Sequence, residues 1–152
     1  MTPSPLPICQ LRVASTGGDS IAAFIRHRRL EIGQPLTFDE QYPGITALEA
    51  FASAFAADII NGLRLRARRQ RVEIRQVEAL VKVWLRNPLA FLEVVGEEGD
   101  PSIESVQVHL YVSTFGEETV VQRLFQETLA RSPLYLTLSK AAKVLVNYEI
   151  AI

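Results

Sequence analysis

The sequence predicts an α+β protein with mostly antiparallel strands, in the order β-β-α-β-β-α-β. Two segments, 77–85 and 106–112, alternate apolar and polar residues with the period of two that a half-buried strand requires. Two others, 48–63 and 120–129, repeat apolar residues at the three- and four-residue steps of an amphipathic helix. Strands grouped around two helices are typical of the α+β class.

The N-terminal part of the chain predicts a β-hairpin. Two β-type runs, Ile8 to Ala14 and Ile21 to Leu30, are separated by 15–19, whose two glycines suit a turn. An irregular connection with two prolines follows at 33–44. Thr46 is then a suitable N-cap for a long helix.

The long helix changes character along its length. Its first part is apolar on one face and carries small residues on the other, which predicts close approach of further backbone. One face is formed by Leu48, Phe51, Ala52, Phe55, Ile59 and Leu63. From Arg64 to Arg71 arginines dominate, as expected where cations meet the negative end of a helix.

The C-terminal part begins with the alternating strand at 77–85, which Asn87-Pro88 interrupts. Leu89 to Val95 is predicted to be another strand or an edge extension, and a polar loop follows. The second clear strand, 106–112, leads to the second helix, which has Glu117 and Glu118 in its first turn.

The last part of the chain predicts a break, a short element and a strand. Ser132-Pro133 ends the second helix, and a short helix or turn is expected through Lys140. Residues 144–150 alternate again and close the fold as a strand.

Composition sets broad limits on function. The 152 residues predict one domain over 1–152, with a proline-rich, flexible segment at 1–7. A net charge of -1 gives no global attraction to nucleic acid or to an anionic membrane, and no apolar run reaches the roughly 20 residues of a bilayer span. The start has no signal-peptide pattern, and a single cysteine forms no internal disulfide. We therefore expect a soluble, cytoplasmic protein.

Two segments carry a resemblance to a known family. The run from Ala50 to Ile60 resembles the central helix of the osmotically inducible protein C (OsmC) family, in which a cysteine precedes an aspartate by four positions. Asp58 is that aspartate here, so Ala54 takes the cysteine position. Ser132 to Ser139 resembles the family's second landmark, a cysteine-proline pair before Thr-Leu-Ser, with Ser132 in place of the cysteine.

The resemblance covers nearly the whole chain from Ile8 onward and implies an OsmC-like fold. It also implies an intertwined homodimer with a peroxide site at the subunit interface. In hydroperoxide-reducing members an arginine of the first hairpin and a glutamate at the start of the central helix hold the thiolate. Arg26, Arg28 or Arg29 could supply the arginine. The glutamate position falls on Gly44 or Ile45, while Glu49 lies too far along the helix.

The residues at the two cysteine positions predict loss of the family's chemistry. A thiol peroxidase needs a reactive thiolate and a resolving thiol, and alanine and serine supply neither. We expect a non-catalytic homodimer whose interface cavity, lined by Phe51, Phe55 and Ser132, holds a small apolar molecule or nothing at all. The alternative is an enzyme with residual or changed activity that uses Cys9, or groups around Ser132 and Arg26.

Other sites are less favoured by the sequence. Cys9 is best interpreted as a small residue near an edge strand. His27 and His109 are expected in strands without a triad pattern, and their spacing predicts neither a metal site nor a cofactor. The arginines from Arg64 to Arg75 lack interleaved aromatics, so a solvated helix end is favoured over nucleic-acid binding. Trp84 is expected at a sheet or dimer contact.

Overall fold

A computed structural model of the chain describes residues 6–18 and 20–151. The chain divides into two compact units, and the boundary, between Phe51 and Ala52, falls inside a long helix, α1 (Ala47–Arg69). The segment expected to be flexible, 1–7, lies mostly outside the described residues. The single domain over 1–152 stays a prediction.

The N-terminal unit holds one antiparallel sheet of three strands. These are β1 (Arg12–Ser15), β2 (Ile21–Ile25) and β3 (Arg28–Ile32), in the order β1-β2-β3. The predicted turn between the first two strands is confirmed, since Gly17 and Gly18 both adopt positive φ there.

The prediction of one continuous strand from Ile21 to Leu30 is wrong. The chain reverses at Arg26 and His27, and Ile25 pairs with Arg28 across this two-residue turn. Arg26 has a φ of 55°, a left-handed conformation that glycine or asparagine usually supplies. Because neither residue type occurs here, the sequence carries no signal for this turn.

Helix α1 begins at a reciprocal capping box. The backbone N–H of Glu49 donates to Thr46 Oγ1 at 3.1 Å, and the backbone N–H of Thr46 donates to Glu49 Oε1 at 2.9 Å. The backbone hydrogen bond from Thr46 is the main cause of a lowered pKa of Glu49. The prediction of Thr46 as the N-cap is thus confirmed, and Glu49 has a structural task.

The far end of α1 closes with a left-handed residue. Arg71 has a φ of 58°, and two backbone bonds fold the chain back onto the helix. Arg71 N donates to Arg68 O at 3.3 Å, and Val72 N donates to Ala67 O at 2.8 Å. This is the Schellman pattern, with arginine where glycine is usual.

The C-terminal unit continues with six elements: β4 (Ile74–Leu85), α2 (Pro88–Phe91), β5 (Ile103–Thr114), α3 (Glu118–Ala130), α4 (Pro133–Leu138) and β6 (Lys143–Ala151). Its sheet has the order β4-β5-β6. Strands β4 and β5 are antiparallel, whereas β5 and β6 are parallel. A parallel neighbour requires a long crossover, and α3 and α4 provide it. The two predicted alternating strands are confirmed.

The predicted strand or edge extension from Leu89 to Val95 is wrong. Asn87 Oδ1 accepts a hydrogen bond from Ala90 N at 3.2 Å and caps the short helix α2. Pro88 occupies its first turn, where a missing N–H costs nothing. The Asn-Pro pair therefore starts a helix instead of only ending a strand.

The core of the C-terminal unit lies between its helices and one face of the sheet. It contains Phe55, Ile59, Leu63, Ala67, Val106, Val108, Leu110, Val112, Leu124 and Phe125. The α1 members follow one another at four-residue steps, so they form a single stripe. On the opposite face of β4, Leu80 and Trp84 stay about half exposed. No helix among the described residues is long and apolar enough to cross a membrane.

Candidate functional site

Ser132 stands at the junction between α3 and α4. Its Oγ accepts a hydrogen bond from Tyr135 N at 3.0 Å, which makes it the N-cap of α4. Pro133 follows in the first turn. The Ser-Pro pair thus begins α4 as well as ending α3, and the predicted short helix is confirmed.

The Ser132 hydroxyl also binds α1. It donates a hydrogen bond to Asp58 Oδ2, and the two residues are 74 positions apart in sequence. Ser132 is buried, with 4% of its surface exposed. Both the donor and an acceptor site of the hydroxyl are therefore engaged within the fold. We call Ser132, Asp58 and the Tyr135 N–H the Ser132 corner.

Ala54 lies one helical turn before Asp58 on α1. Residues four apart on a helix share a face, with Cβ atoms about 5–6 Å apart. Because Asp58 contacts Ser132, the two positions that the family resemblance assigns to cysteines are both neighbours of Asp58, one along α1 and one through a hydrogen bond. Neither position carries a thiol, and Ala54 is exposed.

An open depression of about 270 Å³ adjoins the Ser132 corner. It is lined by Asp58, Asn61, Gly62, Leu65, Arg66, Thr128, Arg131 and Ser132. Helices α1 and α3 approach closely at this depression, since a Cβ added at Gly62 would lie 2.9 Å from Thr128 Cγ2. Asp58 forms no ion pair with any described residue, so it does not neutralise the charge of either arginine in the lining.

Solved structures of similar fold match nearly the whole chain. An OsmC-like protein from Mycoplasma pneumoniae is 18% identical, with a TM-score of 0.78, over 95% of this chain and 97% of its own. The organic hydroperoxide resistance protein OhrB of Bacillus subtilis is 17% identical, with a TM-score of 0.61, over 94% and 100%. The chain has the OsmC-like fold. No protein-family model and no curated protein matches the sequence.

A third structure of the same fold carries a ligand. It is a Vibrio cholerae protein described as an organic hydroperoxide resistance protein, with captopril bound in one of its active sites. It is 16% identical to this chain, with a TM-score of 0.66, over 96% of this chain and 95% of its own. These structural similarities establish the OsmC-like fold, which the sequence resemblance predicted. The chemistry depends on the residues of this chain.

The arginines expected from the first hairpin lie in and beside the turn of the N-terminal unit. Arg26 occupies the turn itself, and Arg28 begins β3 with an exposed side chain. Arg29 pairs with Glu31, with 3.0 Å between Nη2 and Oε1, and its guanidinium lies 5.5 Å from the ring centre of Phe24. Arg29 is thus partly engaged, while Arg26 and Arg28 point to solvent.

The two phenylalanines of the predicted cavity have different environments. Phe51 is 41% exposed, whereas Phe55 is 1% exposed and packs in the core of the C-terminal unit. Cys9 is exposed and precedes β1, an edge strand, by three positions, so it lies near an edge strand as expected, although β1 begins later than the β-type run from Ile8. The cavity lined by Phe51, Phe55 and Ser132 stays a prediction.

The histidines do not provide a base at the Ser132 corner. His27 lies in the β2–β3 turn, so the expectation of a strand is wrong for it. His109 is in β5, with Nδ1 bonded to Asn147 and Nε2 at 3.1 Å from Glu149 Oε2. Both of its ring nitrogens are occupied. Over residues 6–18 and 20–151, no cluster of three metal-binding side chains occurs.

The sequence alone missed the partners of Ser132. Asp58 is recognisable in the sequence only as a family landmark, Arg66 is expected at a solvated helix end, and Arg131 carries no sequence signal. One signal was available, because serine before proline is a common start of a helix. The hydrogen bond to Asp58 joins residues distant in sequence, and no local pattern predicts it.

Proposed function

We propose that this protein is an OsmC-family homodimer without thiol peroxidase activity, and that its interface cavity binds a small apolar molecule. One observation carries the first part. The positions of the two family cysteines hold Ala54 and Ser132, and the Ser132 hydroxyl is engaged by Asp58 and by the Tyr135 N–H.

The chemistry of these side chains supports the loss of activity. Peroxide reduction by a thiol passes through a sulfenic acid that a second thiol resolves. Alanine offers no nucleophile, and a serine hydroxyl is hardly ionised at neutral pH. A hydrolytic role for Ser132 would need a base such as an imidazole, and the Ser132 hydroxyl instead donates its hydrogen bond to Asp58.

The exposed face of α1 supports the homodimer. Ala54, Ala57, Asn61 and Leu65 lie along it at three- and four-residue steps, and all are exposed in the isolated chain. This face is nearly free of charge, and small side chains let a second backbone approach closely. A second copy of the chain would cover it. The captopril bound in an active site of the Vibrio cholerae protein supports a ligand cavity in this fold.

A peroxidase assay tests the first part. Purified protein is mixed with an organic hydroperoxide and a dithiol reductant, and peroxide consumption is followed beside a thiol-containing OsmC-fold enzyme. We expect no consumption above the rate of the reductant alone. Turnover that disappears in Cys9→Ala would establish the alternative, an enzyme using the exposed thiol of Cys9. Turnover that survives Cys9→Ala but not Ser132→Ala would place the chemistry at the Ser132 corner.

Sedimentation tests the homodimer. We expect the wild-type protein to sediment as a dimer and Leu65→Glu to sediment as a monomer, because a buried charge disrupts an apolar interface. Leu92→Glu is the matched control, since Leu92 is 45% exposed at the end of α2 and Leu65 is 41% exposed on α1. A monomeric wild-type protein contradicts the proposal. Cytoplasmic localisation stays a prediction.

A further inference from the structure

A second open depression lies between the C-terminal half of α1 and α3. It has a volume of about 290 Å³ and is lined by Arg66, Arg69, Gln70, Glu127 and Arg131, which we call the arginine groove. Three guanidinium cations and one carboxylate leave two net positive charges in a space of this size. Arg66 and Arg131 also line the depression beside Ser132, so the two spaces share a border.

The single carboxylate of the arginine groove is already satisfied. Glu127 Oε2 accepts a hydrogen bond from Gln70 Nε2 at 3.1 Å, and Glu127 Oε1 lies 4.0 Å from Arg123 Nε. Arg123 Nη2 in turn donates to Gln70 Oε1 at 2.9 Å. The three side chains form a closed ring, and Arg123 offsets the charge of Glu127.

The three arginines of the groove are not neutralised in this way. Arg66, Arg69 and Arg131 form no ion pair with any residue that the structure describes. Nη1 of Arg66 donates to Gly62 O at 3.0 Å, which fixes this guanidinium along α1. Guanidinium groups that line one space without a counter-charge can bind phosphate through paired N–H groups.

We propose that the arginine groove binds the phosphate group of a small molecule. A dianionic phosphate is complementary to the excess of positive charge in the lining, and the small volume suits a phosphate group better than a whole drug-sized ligand. Nucleic acid fits less well, because the lining contains no aromatic side chain on which a base could stack. The proposal does not rest on the proposed function, since phosphate binding and peroxide reduction are measured separately.

A simpler role for these arginines is stabilisation of helix ends. Arg66 and Arg69 lie in the last turn of α1, and Arg131 is the C-cap of α3, where cations are favoured. The two roles predict different effects of a substitution at Arg68. It lies in the same last turn as Arg69 and faces the same dipole, but it lines a different depression, with Arg64 and Glu73.

Calorimetric titration with inorganic phosphate, at an ionic strength held constant with chloride, tests the proposal. We expect one phosphate per chain, with a Kd that rises about tenfold or more in Arg69→Gln and in Arg131→Gln, since each removes a hydrogen bond between charged groups. Arg68→Gln should leave the Kd unchanged. Arg69→Lys should give an intermediate Kd, because it keeps the charge and loses the paired N–H groups.

Three results would overturn the proposal. These are no phosphate binding beyond that of chloride, an equal loss in Arg68→Gln, and a short single-stranded oligonucleotide that binds more tightly than phosphate at the same salt concentration. The last result would assign the groove to nucleic acid. Circular dichroism of each variant shows that it is folded, and the exposed positions of Arg68 and Arg69 make folding of these two variants the expectation.

Discussion

The Ser132 corner and the arginine groove are neighbours, but they differ in whether their polar side chains are paired within the protein. At the corner, the hydroxyl of a buried serine has a donor and an acceptor partner inside the protein. In the groove, three arginines form no ion pair with any residue that the structure describes, and two of them, Arg69 and Arg131, are exposed. Satisfied buried groups stabilise the fold, whereas unpaired exposed cations stabilise it little and remain available to a ligand.

The largest stability effect is expected at the corner. Ser132→Ala removes the N-cap of α4 and leaves Asp58 without its partner, so we expect a loss of about 2 kcal/mol in the free energy of unfolding. Urea denaturation measures it. Ser139→Ala, at the exposed other end of α4, is the matched control and should change stability by less than about 0.5 kcal/mol. Equal losses in the two variants would mean that the hydrogen bonds of the Ser132 corner contribute no more stability than an exposed serine does.

The sequence predicted those parts of the fold that have a local period or a local cap. The two long strands of the C-terminal unit, α1 with its Thr46 cap and α3 all follow from such patterns. Two elements were missed. The β2–β3 turn is built on Arg26 in a left-handed conformation without glycine, and α2 has only four residues, too few to show a helical period.

The candidate site was predictable only in part. The resemblance to the OsmC family named Ala54 and Ser132, and the fold brings Ser132 into contact with Asp58, one helical turn after Ala54. The arginine groove could not be predicted, because it combines Arg66 and Arg69 of one helix with Arg131 of another. Only the packing of α1 against α3, close at Gly62, places them around one space.

The end of α1 offers a gain in stability next to the groove. Arg71 has a φ of 58°, a conformation that is strained for a residue with a Cβ and unstrained for glycine. We expect Arg71→Gly to raise the free energy of unfolding by about 1 kcal/mol. Arg71→Ala removes the same guanidinium but keeps the strain, so it should not stabilise the protein. A similar gain in both variants would show that charge, rather than backbone strain, governs this position.

The capping box at the other end of α1 should stabilise the fold through paired polar groups, as the Ser132 corner does. Its contribution to the free energy of unfolding should be smaller and should depend on pH. The hydrogen bond from Thr46 N lowers the pKa of Glu49 below its usual 4.5. A lowered folded-state pKa contributes stability above the unfolded-state pKa, and this stability is lost as pH falls through the folded-state value.

Wild-type protein should therefore exceed Glu49→Gln in stability at neutral pH, by less than about 0.5 kcal/mol because the site is exposed. The difference should vanish under acidic conditions. Thermal unfolding over a pH series measures both variants, and Glu40→Gln, also exposed in the N-terminal unit, is the control. A difference that grows on acidification would contradict the assigned sign.

The smallest effect is expected in the arginine groove itself and gives the most direct contrast with the corner. Three like charges around one space repel each other, and added salt shortens the range of this repulsion from about 30 Å at 0.01 M to about 10 Å at 0.1 M. Sodium chloride should therefore stabilise the wild-type protein by a few tenths of a kcal/mol, about the size of surface charge effects. Arg131→Gln should reduce this gain, whereas Arg64→Gln, on the same helix as Arg66 but outside the groove, should keep it.

If salt stabilises the two variants equally, the repulsion arises elsewhere and the groove cations are already compensated. If only Arg131→Gln loses the gain, the repulsion that salt relieves is the one that a bound phosphate would relieve more strongly.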